Sequence, residues 1–247
     1  MSEYWYSNIL KKYSDYTKNP NYVYIADNQD WIVVCKKIPG TIVSERAIVV
    51  NKDYAQFSAS MLEVVDIIHK FSSNPTILLE KSTKYKKNAI IQNIANSSDL
   101  SCHPNTANSL DLVYYKTITP AFYFGLDEKS NYTGTIKKWY PDGQLQVTGQ
   151  KLNGNKHGHW IYYFNNPDIE KDANRKQYEG NYVNGDQEGY WKTWYPNGVL
   201  QRYGPYVGNK KNGNWIYRHD NDKVSAQGNY VDDLQEGTWQ WWYTSGY

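Results

Sequence analysis

Gly189-Tyr190-Trp191-Lys192-Thr193-Trp194-Tyr195-Pro196-Asn197-Gly198 is the clearest copy of a unit that recurs through the second half of the chain. The unit reads Gly-x-aromatic-x-x-aromatic-Tyr-Pro-(Asn/Asp)-Gly. Earlier copies open at Gly134 and Gly158, and later ones at Gly213 and Gly237. The lead glycines stand 24, 31, 24 and 24 residues apart, so the period is 24 with one insertion near 168–175. A spacing that returns unchanged three times is the signature of a stacked repeat.

Counting from the lead glycine, offset two holds Ile136, Trp160, Trp191, Trp215 and Trp239, and offset six holds Tyr140, Phe164, Tyr195, His219 and Tyr243. Strand side chains alternate between faces, so these columns share one face and read as core. The odd offsets carry Trp139, Tyr163, Trp194, Arg218 and Trp242, with Lys137 and Lys192 nearby. Pro141-Asp142-Gly143 and Pro196-Asn197-Gly198 then turn the chain, because proline presets one turn angle and glycine accepts positive φ. A second strand follows, with a glycine (Gly149, Gly180, Gly204, Gly228) two residues before Lys151, Tyr182, Tyr206 or Tyr230. Glycine inside a strand weakens it unless a neighbouring ring fills the notch. Each copy is thus a hairpin too small to bury its own rings, and side-by-side stacking buries them.

At these residues the chain resembles the MORN repeats, in the variant with Trp-x-x-Trp-Tyr-Pro-Asn-Gly. The resemblance covers 134–247, with units starting at 134, 158, 189, 213 and 237. It implies an open array of antiparallel β-hairpins and roles in scaffolding, protein binding and lipid association. The fourth copy departs from the pattern, with Arg218-His219-Asp220-Asn221-Asp222 in place of the aromatic pair and the Pro-Asn-Gly turn. The second loses the turn glycine and carries the insertion. In the first half, Asn51 to Phe57, Val64 to Ile67 and Tyr114 to Phe122 resemble the N-terminal region of MORN-repeat proteins of giant DNA viruses. The same repeat variant occurs in bacterial antitoxin-like proteins.

Residues 1–126 read as a separate α+β module. Tyr4, Ile9, Leu10 and Tyr13 fall at helical spacing over 3–17, and Asn19-Pro20-Asn21 ends the pattern. Strand runs follow at Tyr22 to Ala26, Trp31 to Lys37 and Thr41 to Val50, then Ile77 to Leu79, Ala89 to Ile91 and Leu112 to Tyr115. Met61 to Phe71 fits helix and strand periods alike, and its Val and Ile content tips it to strand. Asn96 to Asn108 reads as a surface loop. The fold class expected is mainly β.

With 27 basic and 25 acidic side chains the net charge is +2, and 134–247 alone holds 13 and 12. Neither total gives the positive stripe that a nucleic-acid or anionic-membrane surface needs. Cys35 and Cys102 form no metal spacing, which favours a reducing compartment. The start of the chain has no secretory pattern, and no stretch reaches 18 uninterrupted apolar residues, so the expected location is intracellular and soluble, in host cytoplasm or virion if viral.

His157, His159 and the Cys102-His103 pair lack the company a metal site requires. No nucleophile elbow, phosphate-cradling loop or His-Glu-x-x-His pattern occurs, so neither catalytic residues nor a cofactor are expected. The odd-offset column Trp139, Tyr163, Trp194, Arg218 and Trp242 is the candidate partner-binding face, since rings beside cations make contact hot spots. Cover by the N-terminal module or by the twist of the sheet is the simpler account of the same column. The last strand, with Trp239, Trp241 and Tyr243, is an edge open to pairing with another chain, including a second copy of this one. Its alternative role is a cap, with Trp241 and Trp242 folded over the end of the array.

Overall fold

The computed structural model describes residues 2–27, 30–44, 49–72, 84–92, 112–165 and 175–245. They divide into two compact units, one of 1–126 with 139–144 and one of 127–138 with 145–247.

The first unit opens on helices α1 (Ser2–Lys12) and α2 (Ser14–Thr17). Strands β1 (Tyr22–Ala26), β2 (Trp31–Lys36), β3 (Val43–Ser44), β4 (Gln56–Ala59), β5 (Met61–His69), β6 (Ile90–Gln92) and β7 (Leu112–Tyr115) follow, then helix α3 (Ile118–Tyr123). The strands form one sheet in the order β3-β4-β7-β1-β2-β5-β6, with antiparallel neighbours throughout. Met61–His69 is therefore a strand, as its β-branched content required. Trp31, Val33 and Cys35 of β2 join Val23, Ile25, Phe57, Leu62 and Val64 in one apolar cluster. Ile32 and Val34, on the other face by alternation, are equally buried, and α3 packs on β1 and β2. Helix α3 carries Pro120 in its first turn, where a missing N–H costs nothing, and buries Ile118, Ala121, Phe122 and Tyr123. The expected strand at Ile77 to Leu79 and loop at Asn96 to Asn108 lie outside the described residues. So does most of the insertion at 168–175.

The second unit is a single antiparallel sheet. Its strands are β8 (Gly134–Trp139), β9 (Leu145–Leu152), β10 (Asn155–Tyr163), β11 (Lys176–Val183), β12 (Asp186–Trp194), β13 (Leu200–Val207), β14 (Lys210–Lys211), β15 (Gly213–Arg218), β16 (Val224–Val231) and β17 (Leu234–Trp241). They run in chain order from β8 to β17, with the short β14 on β13. Between copies the chain reverses through Asn153-Gly154, Asn184-Gly185, Gly208-Asn209 and Asp232-Asp233. All eight residues have positive φ, from 48° to 100°, the two-residue turn whose twist matches the strands it joins.

Within a copy, the longer turn is closed by Tyr195 N–H to Val199 O at 2.8 Å and Gly198 N–H to Tyr195 O at 2.9 Å. The fourth copy keeps the same turn without its proline and glycine. His219 N–H reaches Lys223 O at 2.8 Å, and Asp222 takes the glycine's place with φ 67°. Asn197 and Asn221 each accept from the backbone two residues on, at 3.0 and 3.2 Å, which pins both turns alike.

Gly134 and Gly213 begin their strands, but the other three lead glycines do not. β10, β12 and β17 start three residues earlier, at Asn155, Asp186 and Leu234. Gly158, Gly189 and Gly237 sit inside them with φ of 68–69°, at bulges where three residues oppose one strand glycine of the preceding strand.

Candidate functional site

All four repeat tryptophans of this column lean the same way, three of them from a bulge. Trp160, Trp191, Trp215 and Trp239 lie back over the preceding second strand, onto Gly149, Gly180, Gly204 and Gly228. A Cβ added at any of these glycines would fall 2.2–2.4 Å from the indole, inside its van der Waals wall. The strand glycines are therefore sockets. Three of the four indole N–H groups donate to the carbonyl just after the socket: Trp160 to Gln150 at 2.9 Å, Trp215 to Pro205 and Trp239 to Asn229, both at 3.1 Å. The Trp191 indole nitrogen is buried without a partner.

Tyrosines from the second strands interleave with the indoles. Trp160, Tyr182, Trp191, Tyr206, Trp215, Tyr230 and Trp239 form one edge-to-face ladder with centroids 5.0 to 6.2 Å apart, the geometry aromatic quadrupoles favour. Trp160, Trp191 and Trp215 are 1–4% exposed. Two lysines rest on this layer. Lys156 Nζ lies 4.9–5.3 Å from the rings of Trp160, Tyr162 and Tyr182 and donates to Tyr162 Oη at 2.7 Å. Lys211 repeats the arrangement on Trp215, Tyr217 and Tyr230, with its bond to Tyr217 Oη at 3.0 Å. Burial pushes the Tyr162, Tyr182, Tyr206, Tyr217 and Tyr230 phenols above their ordinary value, and desolvation holds the Lys156 ammonium below its own. This face is occupied by its own side chains.

The other face is organised differently. Of the odd-offset column, Trp139 is engaged within the first unit, its ring parallel to Tyr54 at 5.0 Å and 5.9 Å from Tyr123. Tyr163, Trp194, Arg218 and Trp242 are half-buried. Around Trp194 the side chains are linked: Lys176 Nζ stands 5.7 Å from its ring and 2.8 Å from Glu179, whose carboxylate also meets His159 at 3.4 Å. Arg218 turns back on its own hairpin, donating to Asp222 O at 2.8 Å and Oδ1 at 3.1 Å.

A further column was not singled out from the sequence. Leu152, Val183, Val207 and Val231 each end a second strand, one residue past the ladder positions and so on the opposite face, and are 40–56% exposed. The signal was the Tyr-Val pair before three of the four two-residue turns, with Lys151-Leu152 before the first. Together with Tyr163, Trp194 and Trp242 these aliphatics give the face apolar groups at both ends of its strands.

At the free end, Trp239 is half-buried, while Trp241 is 66% and Tyr243 80% exposed. No group of three or more His, Cys, Asp or Glu converges to hold a metal among the described residues, and Cys102-His103 lies outside them. No helix among them is long and apolar enough to cross a membrane.

Compared with known families, residues 132–150 and 187–207 match the MORN repeat variant. No curated protein matches the chain. The two matched segments hold a lead glycine each, Gly134 and Gly189, and the second runs on through the Trp191 socket partner, the Pro-Asn-Gly turn and the strand glycine Gly204. These two segments of the repeat region are accordingly similar to that variant, and the second includes Trp191 and Tyr206 of the ladder.

Proposed function

We propose that the chain is a non-catalytic interaction module whose repeat sheet presents a protein-binding face on the side opposite the ring ladder. One observation carries this reading. The ladder satisfies the aromatic residues of one face internally, whereas the half-buried Trp194 and Trp242 and the exposed aliphatic column present apolar surface on the other. Rings and aliphatics at a fixed repeat, beside Lys176 and Lys192, suit a polypeptide partner better than an anionic lipid or nucleic acid. The near-equal charge of the repeats supports that preference. The matched repeats support it too, since such repeats generally mediate interactions.

Assembly of a viral structure and neutralisation of one partner, the roles implied by the viral and antitoxin-like resemblances, would both use this face. They differ in stoichiometry, many copies against one. The test is affinity capture with quantitative mass spectrometry on the wild type and on a Trp194→Ala, Trp242→Ala double variant. The expected result is loss of specific partners from the double variant with its circular dichroism unchanged. An unchanged partner list removes this face from consideration.

A further inference from the structure

The outer side of β17 has a defined register, because the same side is occupied in every complete copy. Gly158, Trp160 and Tyr162 face Tyr182, Gly180 and Tyr178 of β11; Gly189, Trp191 and Thr193 face Tyr206, Gly204 and Arg202 of β13. Gly213, Trp215 and Tyr217 face Tyr230, Gly228 and Ala226 of β16 in the same way. The rule is an unbroken five-residue antiparallel ladder in which an aromatic ring sits opposite the lead glycine. That ring stands 6.0–6.2 Å from the tryptophan of the same copy and closes its outer side. Among the described residues nothing takes this place opposite Gly237, and Trp239 is correspondingly the only half-exposed indole of the ladder.

We propose that a second copy of this chain takes that place, through a two-fold antiparallel pairing of β17 with itself centred on Trp239. The register follows from the symmetry. With Trp239 opposite Trp239 of the partner subunit, Gln240 falls opposite the partner's Thr238, and Trp241 opposite the partner's Gly237. The exposed Trp241 ring thus supplies the aromatic group that Tyr182, Tyr206 and Tyr230 supply inside the array, and does so in both directions at once. Directly opposed residues point to the same face, so the ring arrives on the ladder side. The two central indoles do not collide, because each already leans inward over its own Gly228 and donates to its own Asn229 carbonyl.

The composition of the edge agrees. Natural sheet edges are guarded by lysine, proline or inward-pointing charge. From Leu234 to Ser245 there is no proline and one charged side chain, Glu236, which this register places opposite the partner's Trp242 and away from like charge. β8, at the other edge, carries Lys137 and Lys138.

This inference rests on reading the chain as an interaction module, but it uses residues remote from Trp194, so the two fail separately. The test is sedimentation velocity on the full chain, with Cys102→Ser to remove a second thiol, together with two variants. Trp241→Lys, at an exposed position, is expected to convert a dimer to monomer while circular dichroism stays the same. A Thr238→Cys, Gln240→Cys chain is expected to cross-link between subunits on mild oxidation, and Thr238→Cys alone is not. A monomeric wild type, or a dimer indifferent to Trp241→Lys, overturns pairing through this edge. A dimer that depends on Trp241 but does not cross-link overturns the two-fold register and leaves the edge as the contact. Loss of partner capture in a Trp194→Ala single variant that still dimerises bears only on the opposite face, since Trp242 lies within the proposed pairing.

Discussion

The two units solve the same problem with different materials. In the first, a sheet buries aliphatic side chains such as Val33, Leu62, Val64 and Ile68 to 0% exposure. In the second, the sheet has no second layer of its own among the described residues, and burial comes from indoles laid flat in glycine sockets with tyrosines wedged between them. A core of the first kind tolerates exchange among apolar residues of similar volume. One of the second kind is a line of fitted pairs, each resting on a single missing Cβ, and its stability is a sum over neighbouring copies.

Gly204→Val is the hardest blow to that distinction. The added Cβ meets Trp215 Cδ2 at 2.3 Å, with the backbone of β13 on one side and a 1%-exposed indole on the other. Overpacking of this severity costs about 3 kcal/mol. Urea unfolding followed by tryptophan emission is weighted to the second unit, which holds seven of the ten indoles, and pulse labelling of Cys35 reads the first unit, where burial holds that thiol up to about 12. The emission midpoint should fall while Cys35 protection stays in place. If both move together, the chain folds as one cooperative body and the contrast between the units has no energetic meaning.

Alkaline pH gives a broader and smaller effect. The phenols of Tyr162, Tyr182, Tyr206, Tyr217 and Tyr230 are all raised, with desolvation as the leading cause in each. A folded-state value above the unfolded one means the stabilisation is fully present below about pH 10 and is lost as pH climbs past it. Lys156 acts in the opposite sense, since its depressed value adds stability over the same rise, but it is one group against five. The net expectation is a steep loss of the repeat transition above pH 10, with phenolate absorbance lagging behind that of free tyrosine until the sheet opens. Phenolate that appears in step with free tyrosine would show the ladder to be solvent-permeable.

Much of the second unit could be read from residue types that admit few explanations. A glycine recurring mid-strand beside a recurring tryptophan has one economical reading, a notch with a ring in it, and the four sockets follow that reading. What escaped was anything that breaks strict alternation or comes from afar. The bulges at Gly158, Gly189 and Gly237 shift the start of each strand by three residues, and a parity count has no means of seeing them. Trp139 shares its sequence column with Trp194, yet its ring lies on Tyr54, 85 residues earlier, a contact no local pattern encodes. Helix α3 was missed because Pro120 reads as a breaker unless its place in the first turn is known. The column of Leu152, Val183, Val207 and Val231 was visible as letters but carried no expectation, since a valine ending a strand is equally at home inside or outside.

The fourth copy offers the mildest test of the comparison, because there the array has already exchanged one of its marked residues. Asp222 adopts φ 67° where the third copy has Gly198 at 87°, and the backbone bonds of the two turns match within about 0.2 Å. Aspartate visits that region at modest cost because its short side chain bonds locally, and here Asp222 also accepts from Arg218 at 3.1 Å. Gly198 has nothing within 4 Å of its missing Cβ, so Gly198→Asp adds strain in φ alone and no clash. The third copy has Trp194 where the fourth has Arg218, so the compensating contact is absent, and the expected loss is about 1 kcal/mol. The same urea titration measures it. A loss as large as that of Gly204→Val would mean that the turns are as exacting as the sockets. A loss near 1 kcal/mol would place the specificity of the array in the ring ladder, with the turns free to vary around it.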